Sequence, residues 1–150
     1  MKAVRLKTEY LSDPLGIDMQ NPCLMWNCDA ERSGASPLEG EGGMKQSAYR
    51  IVTDHWDSGK VESSSMRAVY PEKLKSRERV TWKICLWDEN GTQGEWSESF
   101  FEMGLLSEND WQAKWITGNY SVNKKERYPV DCFLKAFEVK GNLIGARLYI

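Results

Sequence analysis

The chain has 150 residues, 41% of them hydrophobic, and a formal net charge of -2 with an isoelectric point near 5.5. This length is enough to bury one full core, with a smaller piece left over. The near-even charge argues against binding to nucleic acid or to an anionic membrane. No apolar run approaches the roughly 18 residues of a membrane span, and the first residues lack a signal-peptide centre. As written, the sequence predicts a cytoplasmic protein, or an extracytoplasmic one if a leader has been removed.

The cysteines and the single histidine do not have the spacing of a metal site. Cys23, Cys28, Cys85 and Cys132 include no pair separated by two residues, and His55 is the only histidine. Cys23 and Cys28 are an odd number of positions apart in one predicted strand, so their side chains point to opposite faces and are poorly placed for a disulfide. We therefore expect four free thiols, no metal and no cofactor.

Apolar residues alternate with polar ones along most of the chain, which is the period of β-strands rather than of helices. Turn-forming segments at residues 13–16 (Asp-Pro-Leu-Gly) and 88–91 (Asp-Glu-Asn-Gly) interrupt this alternation. Short strands at such spacing are typical of an antiparallel sandwich. The predicted strands cover residues 4–9, 23–28, 47–53, 64–70, 80–88 and 99–105.

The strand near residues 81–87 predicts where the core lies. One of its faces carries Trp82, Ile84 and Leu86, and the other carries Lys83, Cys85 and Trp87. The first face is apolar throughout and is expected to be buried.

This strand, the Asn-Gly turn after it and the loop at residues 94–98 resemble the penultimate strand and final loop of fibronectin type III domains. Trp26 occupies the place of the buried tryptophan on their second strand. The resemblance covers residues 1–105. It implies an all-β fold, an antiparallel β-sandwich of the fibronectin type III or immunoglobulin-like kind.

Residues 32–43 are rich in glycine and poor in apolar side chains, which predicts a mobile surface loop between two strands. A phosphate-binding role is disfavoured because the segment lacks a strand-to-helix context and a following Lys-Ser/Thr pair.

The pattern changes after Leu106. Residues 107–110 indicate a turn or a helix start, and residues 111–116 form an aromatic-rich crossing segment. Strand-like alternation returns at residues 132–139 and 146–150. About 35 residues cannot build the core of a second domain alone. The sequence ends inside an alternating strand with no turn after it, which predicts a truncated polypeptide.

Four short motifs occur in a fixed order along the chain. They are Trp-Asp-Ser-Gly-Lys-Val at 56–61, Trp-Asp-Glu-Asn-Gly at 87–91, Phe-Glu-Met-Gly-Leu-Leu at 101–106 and Trp-Gln-Ala-Lys-Trp-Ile at 111–116. Gly-Ile-Asp at 16–18 and Gln-Ser-Ala-Tyr-Arg-Ile at 46–51 precede them. From about residue 16 to residue 150, the sequence resembles the amino-terminal region of bacterial α-L-rhamnosidases.

This resemblance implies a parent glycoside hydrolase that cleaves terminal α-L-rhamnosyl bonds with inversion, using a general acid and a water-activating base. It also implies that this chemistry lies in a helical domain downstream. The chain would then comprise a fibronectin type III-like sandwich at residues 1–106, a connecting segment at 107–130 and the truncated start of a second sandwich at 131–150. Its expected partners are the remaining domains of the parent enzyme and, through that enzyme, rhamnose-containing glycans.

Within this chain, the best candidates for a catalytic carboxyl group are Asp57 and Asp88, each of which follows a tryptophan at a strand end. An aspartate in this position more often accepts backbone hydrogen bonds in its own turn. His55 is the only imidazole base, and its surroundings suggest an exposed turn residue rather than part of a triad. Asp54, His55 and Asp57 form only a loose cluster for a metal. We therefore assign no catalytic, cofactor-binding or metal-binding residue.

Seven tryptophans are the stronger sign of binding, because indole faces stack on sugar rings. Most have a structural explanation: Trp26 and Trp82 as core, Trp96 as a cap on the last loop, and Trp111 and Trp115 as anchors of the connecting segment. Trp56 and Trp87 remain, as sugar-binding residues or as residues covered by another domain. A stand-alone carbohydrate-binding or protein-interaction module is therefore the alternative function, since fold does not fix function.

Overall fold

The computed structural model describes residues 1–29, 45–121, 123–128 and 130–149. The chain divides into two compact units, Met1–Gln112 and Ala113–Ile150. The glycine-rich segment at 32–43, predicted to be a mobile loop, lies outside the described residues. In the part of the chain that is described, no helix is long and apolar enough to cross a bilayer.

The first unit is a β-sandwich of two sheets. A three-stranded sheet has the order β1-β3-β6, and a five-stranded sheet has the order β2-β8-β7-β4-β5. All neighbouring strands are antiparallel except β2 and β8, which are parallel. The strands are β1 (Lys2–Thr8), β2 (Leu15–Ile17), β3 (Cys23–Asp29), β4 (Gln46–Thr53), β5 (Val61–Glu62), β6 (Arg67–Val69), β7 (Arg79–Asp88) and β8 (Ser97–Met103).

The predicted all-β sandwich is confirmed, and each of the six predicted strands overlaps an observed one. Two short strands were missed, β5 and β2. The latter falls partly in residues 13–16, which were predicted to be a turn. Gly16 has a φ of +82° there, yet the amide N–H of Glu102 donates to the carbonyl of Pro14 at 2.9 Å and that of Gly104 donates to Ile17 at 2.7 Å. The turn-forming residues therefore join the sheet as an edge strand.

The core follows the alternation of β7. Trp82, Ile84 and Leu86 have no exposed surface, as predicted. Cys85 is equally buried, although it lies on the opposite face. It pairs across the sheet with Arg50 in β4, and the side-chain amide of Gln93 approaches its Sγ at 3.7 Å. Polar neighbours thus cover a position that alternation alone assigns to the outside.

Aromatic side chains join the two sheets. Trp26 in β3 meets Tyr49 in β4 edge to face, with ring centroids 5.0 Å apart. Tyr70, just after β6, contacts Phe101 at 5.8 Å and Trp56 at 5.7 Å, again edge to face. Such pairs stabilise a core beyond the area they bury. The burial of Trp26, with 2% of its surface exposed, confirms its predicted place in the core.

The loop between β7 and β8 packs closely on the first residues of the chain. A Cβ atom at Gly94 would lie 1.9 Å from the carbonyl oxygen of Met1, so only glycine fits this position. Beside it, the Lys2 ammonium is 3.1 Å from the Glu95 carboxylate. The Ser97 hydroxyl also donates to the carbonyl of Ala3 at 2.6 Å. The loop is therefore joined to the start of the other sheet.

In residues 113–149, as far as the structure describes them, the strands predicted at residues 132–139 and 146–150 are not formed. Large apolar side chains there are exposed, among them Leu134 at 95%, Ile144 at 102% and Leu148 at 82%. The alternation is present in the sequence, but a strand needs a neighbour to satisfy its backbone hydrogen bonds and to cover its apolar face.

Candidate functional site

Asp57 lies in the turn that leads from β4 to β5 and forms an ion pair with Arg50 of β4. Its Oδ1 accepts from Arg50 Nε at 3.0 Å, and its Oδ2 accepts from Nη2 at 2.5 Å. The same Oδ1 accepts from the backbone N–H of Gly59 at 2.8 Å. Hydrogen bonds from Arg50 and Gly59 lower the pKa of Asp57 to about 2. The predicted turn role of Asp57 is confirmed, with an arginine partner that the sequence did not reveal.

Titration tests the Arg50–Asp57 pair. A carboxyl group with a depressed folded-state pKa stabilises the fold above its unfolded-state pKa of about 3.9 and loses that contribution as the pH falls through the folded value. We expect the Asp57 carboxyl carbon to titrate near pH 2 by NMR. In Arg50→Gln the midpoint should rise toward the ordinary range. An ordinary midpoint in the unmodified chain would show that the pair does not form in solution.

Asp88, at the end of β7, also organises its own turn. Its Oδ1 accepts from the backbone N–H groups of Asn90 at 2.9 Å and Thr92 at 2.8 Å, and the residue is 7% exposed. The backbone N–H of Gly91 donates to the carbonyl of Asp88 at 3.0 Å. The turn role predicted for Asp88 is confirmed as well. Both Trp-Asp motifs thus place a carboxylate where it holds a turn.

His55 is exposed, as predicted, in the tight turn after β4. Its backbone N–H lies 3.3 Å from the Thr53 hydroxyl oxygen, which also accepts from the N–H of Trp56 at 2.9 Å. Among the described residues, no group of three or more histidine, cysteine or acidic side chains is placed to hold a metal. The cluster of Asp54, His55 and Asp57 therefore has no metal-binding geometry.

Trp56 and Trp87, the two candidate sugar-binding residues, lie in different surroundings. Trp56 is half-buried against the hydrophobic core and contacts Tyr70, so it is part of the packing rather than a residue on the outer surface. Trp87 is half-buried and pairs across the sheet with Ala48. The Lys60 ammonium sits 5.3 Å from the centre of the Trp87 ring, within the range of a cation–π contact. Both indole rings therefore already have a side-chain neighbour in place of a sugar.

The other tryptophans divide between core and surface. Trp26 and Trp82 are buried, whereas Trp96 in the last loop is 41% exposed. Trp111 is 46% exposed and Trp115 is fully exposed. The anchoring role expected of Trp111 and Trp115 remains a prediction.

Gln46, at the start of β4, has a buried polar role that the alternation of residues did not predict. It is 5% exposed and uses both ends of its amide. Its Oε1 accepts from the indole N–H of Trp26 at 2.9 Å and lies 3.4 Å from the Cys28 Sγ. Its Nε2 donates to the carbonyls of Ser63 and Ser65, both at 2.9 Å. Gln46 therefore joins the two sheets and the segment between β5 and β6.

The register of β4 against β7 shifts between Gln46 and Ala48. Because of this shift, simple alternation along β4 does not reveal that the Gln46 side chain points inward.

All four cysteines are free thiols in different surroundings. Burial raises the pKa of Cys23, Cys28 and Cys85, which lowers their thiolate fraction at neutral pH. Cys132 is exposed, whereas Cys85 is completely buried.

We expect the thiols to react with a chromogenic disulfide reagent in the order of their exposure. Cys132 should react first, Cys23 and Cys28 more slowly, and Cys85 only when the sandwich opens. The rate of colour development measures this order, and Cys132→Ser should remove the fast phase alone. A fast phase assigned to Cys85 by mass spectrometry would contradict the packing described for β7.

The comparisons with known proteins concern the same sandwich. The family described as "Rha78A-like, N-terminal immunoglobulin domain" matches residues 3–107. The chain belongs to this family. The matched range covers β2 to β8 in full and all of β1 except Lys2. The sequence resemblance to the amino-terminal region of bacterial α-L-rhamnosidases is thereby confirmed.

Relatives of this Rha78A-like domain are themselves named α-L-rhamnosidases. One from Formosa agariphila is 38% identical over 71% of this chain and 12% of its own length. One from an Alteromonas species is 31% identical over 95% of this chain and 17% of its own length. The crystal structure of Streptomyces avermitilis α-L-rhamnosidase complexed with L-rhamnose aligns with a TM-score of 0.66 and 34% identity, over 77% of this chain and 12% of that one. The chain thus spans less than a fifth of the length of each of these three relatives.

Proposed function

We propose that this chain is the non-catalytic amino-terminal part of an α-L-rhamnosidase, and that the whole enzyme hydrolyses terminal α-L-rhamnosyl bonds with inversion. The observation that carries this proposal is the match of residues 3–107 to the Rha78A-like amino-terminal domain. The relatives' lengths support it, since 12–17% of each corresponds to this chain and the remainder has room for the chemistry.

The geometry of the carboxyl groups also supports a non-catalytic role. Inverting hydrolysis uses a protonated acid and a base about 6.5–9.5 Å apart across the sugar. With a pKa of about 2, Asp57 is ionised at neutral pH and cannot serve as the proton donor. Asp88 is buried and accepts two backbone hydrogen bonds in its turn. Both side chains already have structural partners.

The role we infer for the sandwich is to fold as a unit and to stabilise the domains that follow it. Residues 131–150 would then begin the second domain, and the rest of the polypeptide would supply the neighbouring strands. The exposed apolar side chains at Leu134, Ile144 and Leu148 are consistent with such missing neighbours. The match to the Alteromonas relative extends over 95% of this chain, so residues of both units correspond to a single longer protein. This supports the proposal that both units belong to one enzyme of that kind. The partners proposed are therefore the remaining domains and, through them, rhamnose-containing glycans.

The isolated chain tests the catalytic part of this proposal. Incubated with an aryl α-L-rhamnoside, it should release the chromophore no faster than buffer, while an intact α-L-rhamnosidase serves as the positive control. Release that increases with the concentration of the chain and is abolished by Asp57→Asn or Asp88→Asn would overturn the proposal.

The alternative of a stand-alone carbohydrate-binding module is testable with the same material. The indole N–H signals of Trp56 and Trp87 in an NMR spectrum report contact with a sugar directly. We expect no shift on titration with L-rhamnose, because Trp56 is packed against Tyr70 and Trp87 lies beneath Lys60. Saturable shifts that disappear in Trp87→Ala would favour the binding module.

A further inference from the structure

We propose that residues 104–111, the exit segment by which the chain leaves the sandwich, form a rigid joint. In this joint, Ser76 fixes the exit segment to the loop before β7. This segment would then move as part of the sandwich rather than as a flexible tether. The inference concerns the first unit alone and does not depend on the activity of a parent enzyme.

The Ser76 hydroxyl is the centre of the joint and is used in both directions. Its Oγ accepts from the backbone N–H of Leu106 at 2.8 Å. The same hydroxyl donates to Oδ2 of Asp110. One side chain thus binds the chain at two points after β8. A hydroxyl that both accepts and donates leaves little freedom for the segment between its partners.

Residues 107–110 form a capped turn that presents Asp110 to Ser76. Ser107 is the N-cap of a short 3₁₀-helix (Glu108–Asp110), and its Oγ accepts from the backbone N–H of Asn109 at 3.3 Å. Oδ2 of Asp110 accepts in return from the backbone N–H of Ser107 at 3.2 Å. This is the reciprocal arrangement of a capping box. The carboxylate that completes the box is the one that holds Ser76, so turn and loop are fixed together.

Backbone hydrogen bonds secure the other side of the joint. The N–H of Arg77 donates to the carbonyl of Gly104 at 3.0 Å, and the N–H of Met103 donates to that of Glu78 at 2.8 Å. Arg77 adopts a φ of 65°, a left-handed conformation that is costly for a residue with a side chain and persists only where the surroundings hold it. Leu106 is partly buried and packs against the hydrophobic core. The strained loop is therefore held between β8 and the exit segment.

These contacts fix the course of the chain as far as Trp111. After the 3₁₀-turn, the N–H of Trp111 donates to the carbonyl of Glu108 at 3.2 Å, and the backbone becomes extended, with φ -81° and ψ 117°. The direction in which the chain leaves the first unit is thus set by Ser76 and Asp110.

Backbone ¹⁵N relaxation of the whole chain tests this proposal. Leu106, Asn109 and Asp110 should have order parameters of about 0.85, like the strands of the sandwich. In Ser76→Ala and in Asp110→Asn, these three values should fall below about 0.6 while those of Ile84 and Leu86 stay unchanged. Ser76→Thr keeps the hydroxyl and should retain the order. Ser64→Ala, which changes an exposed serine elsewhere in the sandwich, is the matched control.

Two results would overturn the proposal. One is low order parameters at residues 106–110 in the unmodified chain. The other is unchanged order in both Ser76→Ala and Asp110→Asn with the sandwich folded. Because each variant removes one partner of the same contact, a variant that fails to fold leaves the other to decide.

Discussion

Replacing Trp82 with alanine is expected to lower the free energy of unfolding of the sandwich by about 3–5 kcal/mol. The indole is completely buried in the middle of β7, and its removal leaves a cavity that neighbouring strands cannot fill without breaking their pairing. A domain of this size is stabilised by only about 5–15 kcal/mol, so much of its stability would be lost. Chemical denaturation followed by far-ultraviolet circular dichroism measures the change.

The control for this prediction is Trp96→Ala, which removes an indole that is 41% exposed in the last loop. We expect a much smaller effect, because its area is only partly removed from water. Similar losses in Trp82→Ala and Trp96→Ala would contradict the core described here.

Phenylalanine substitutions separate packing from hydrogen bonding. The indole N–H of Trp26 donates to Gln46, whereas that of Trp82 has no hydrogen-bond partner among the described residues. Trp26→Phe should therefore cost more than Trp82→Phe, by about 1–2 kcal/mol, since it also leaves the Gln46 oxygen without its donor.

Replacing Gln46 with leucine is expected to cost about 2–4 kcal/mol, an effect comparable to the loss of a core side chain. Leucine is similar in size but leaves the buried N–H of Trp26 and the carbonyls of Ser63 and Ser65 without their partner. The measurement is again chemical denaturation. The double variant Gln46→Leu/Trp26→Phe should lose less stability than the sum of the two single losses, because both substitutions remove the same hydrogen bond.

Gln46→Glu provides a pH-dependent control for that prediction. A carboxylate at this buried position would face two carbonyl oxygens, so burial and repulsion should raise its folded-state pKa. Relative to the unmodified chain, the variant should be most stable below the unfolded glutamate pKa of about 4.3 and lose stability as the pH rises through the folded value. Equal stability of Gln46→Glu and the unmodified chain at pH 8 would show that Gln46 does not make these bonds.

The fold was predictable because its main strands are long enough to show their period. In β7, alternation identified Trp82, Ile84 and Leu86 as core, and the turn signal Asn-Gly marked its end. Alternation failed where the backbone changes register, as at Gln46, or where a polar neighbour covers the outer face, as at Cys85. It also missed β2, whose three residues are too few to show a period.

At the candidate site, the sequence predicted which polar residues serve the turns. Residue type and turn context correctly placed Asp57, Asp88 and His55 in turns. Arg50 was not foreseen as the partner of Asp57, because the pair depends on the path of the turn between them. Ser76 was not foreseen for a similar reason, because a serine in a loop carries no sign that two residues after β8 will form hydrogen bonds with its hydroxyl.

The predicted strands after residue 131 show a different limit of sequence reasoning. Their alternation is real, but the described residues of the second unit contain no strand for them to pair with. The alternation of apolar residues shows which face a strand would bury. Whether the strand forms depends on a neighbouring strand that pairs with it. Within the longer rhamnosidase that we propose, these residues would find those neighbours.

The most direct test of the account is to measure the activity and heat stability of that longer enzyme with Gln46→Leu or Asp57→Asn in this domain. If the sandwich stabilises rather than catalyses, Gln46→Leu should lower the temperature of inactivation. Both variants should keep kcat/KM on an aryl α-L-rhamnoside within about twofold at a temperature where they are folded, a difference of under about 0.5 kcal/mol. A hundredfold fall in kcat/KM for the folded Asp57→Asn enzyme would contradict it.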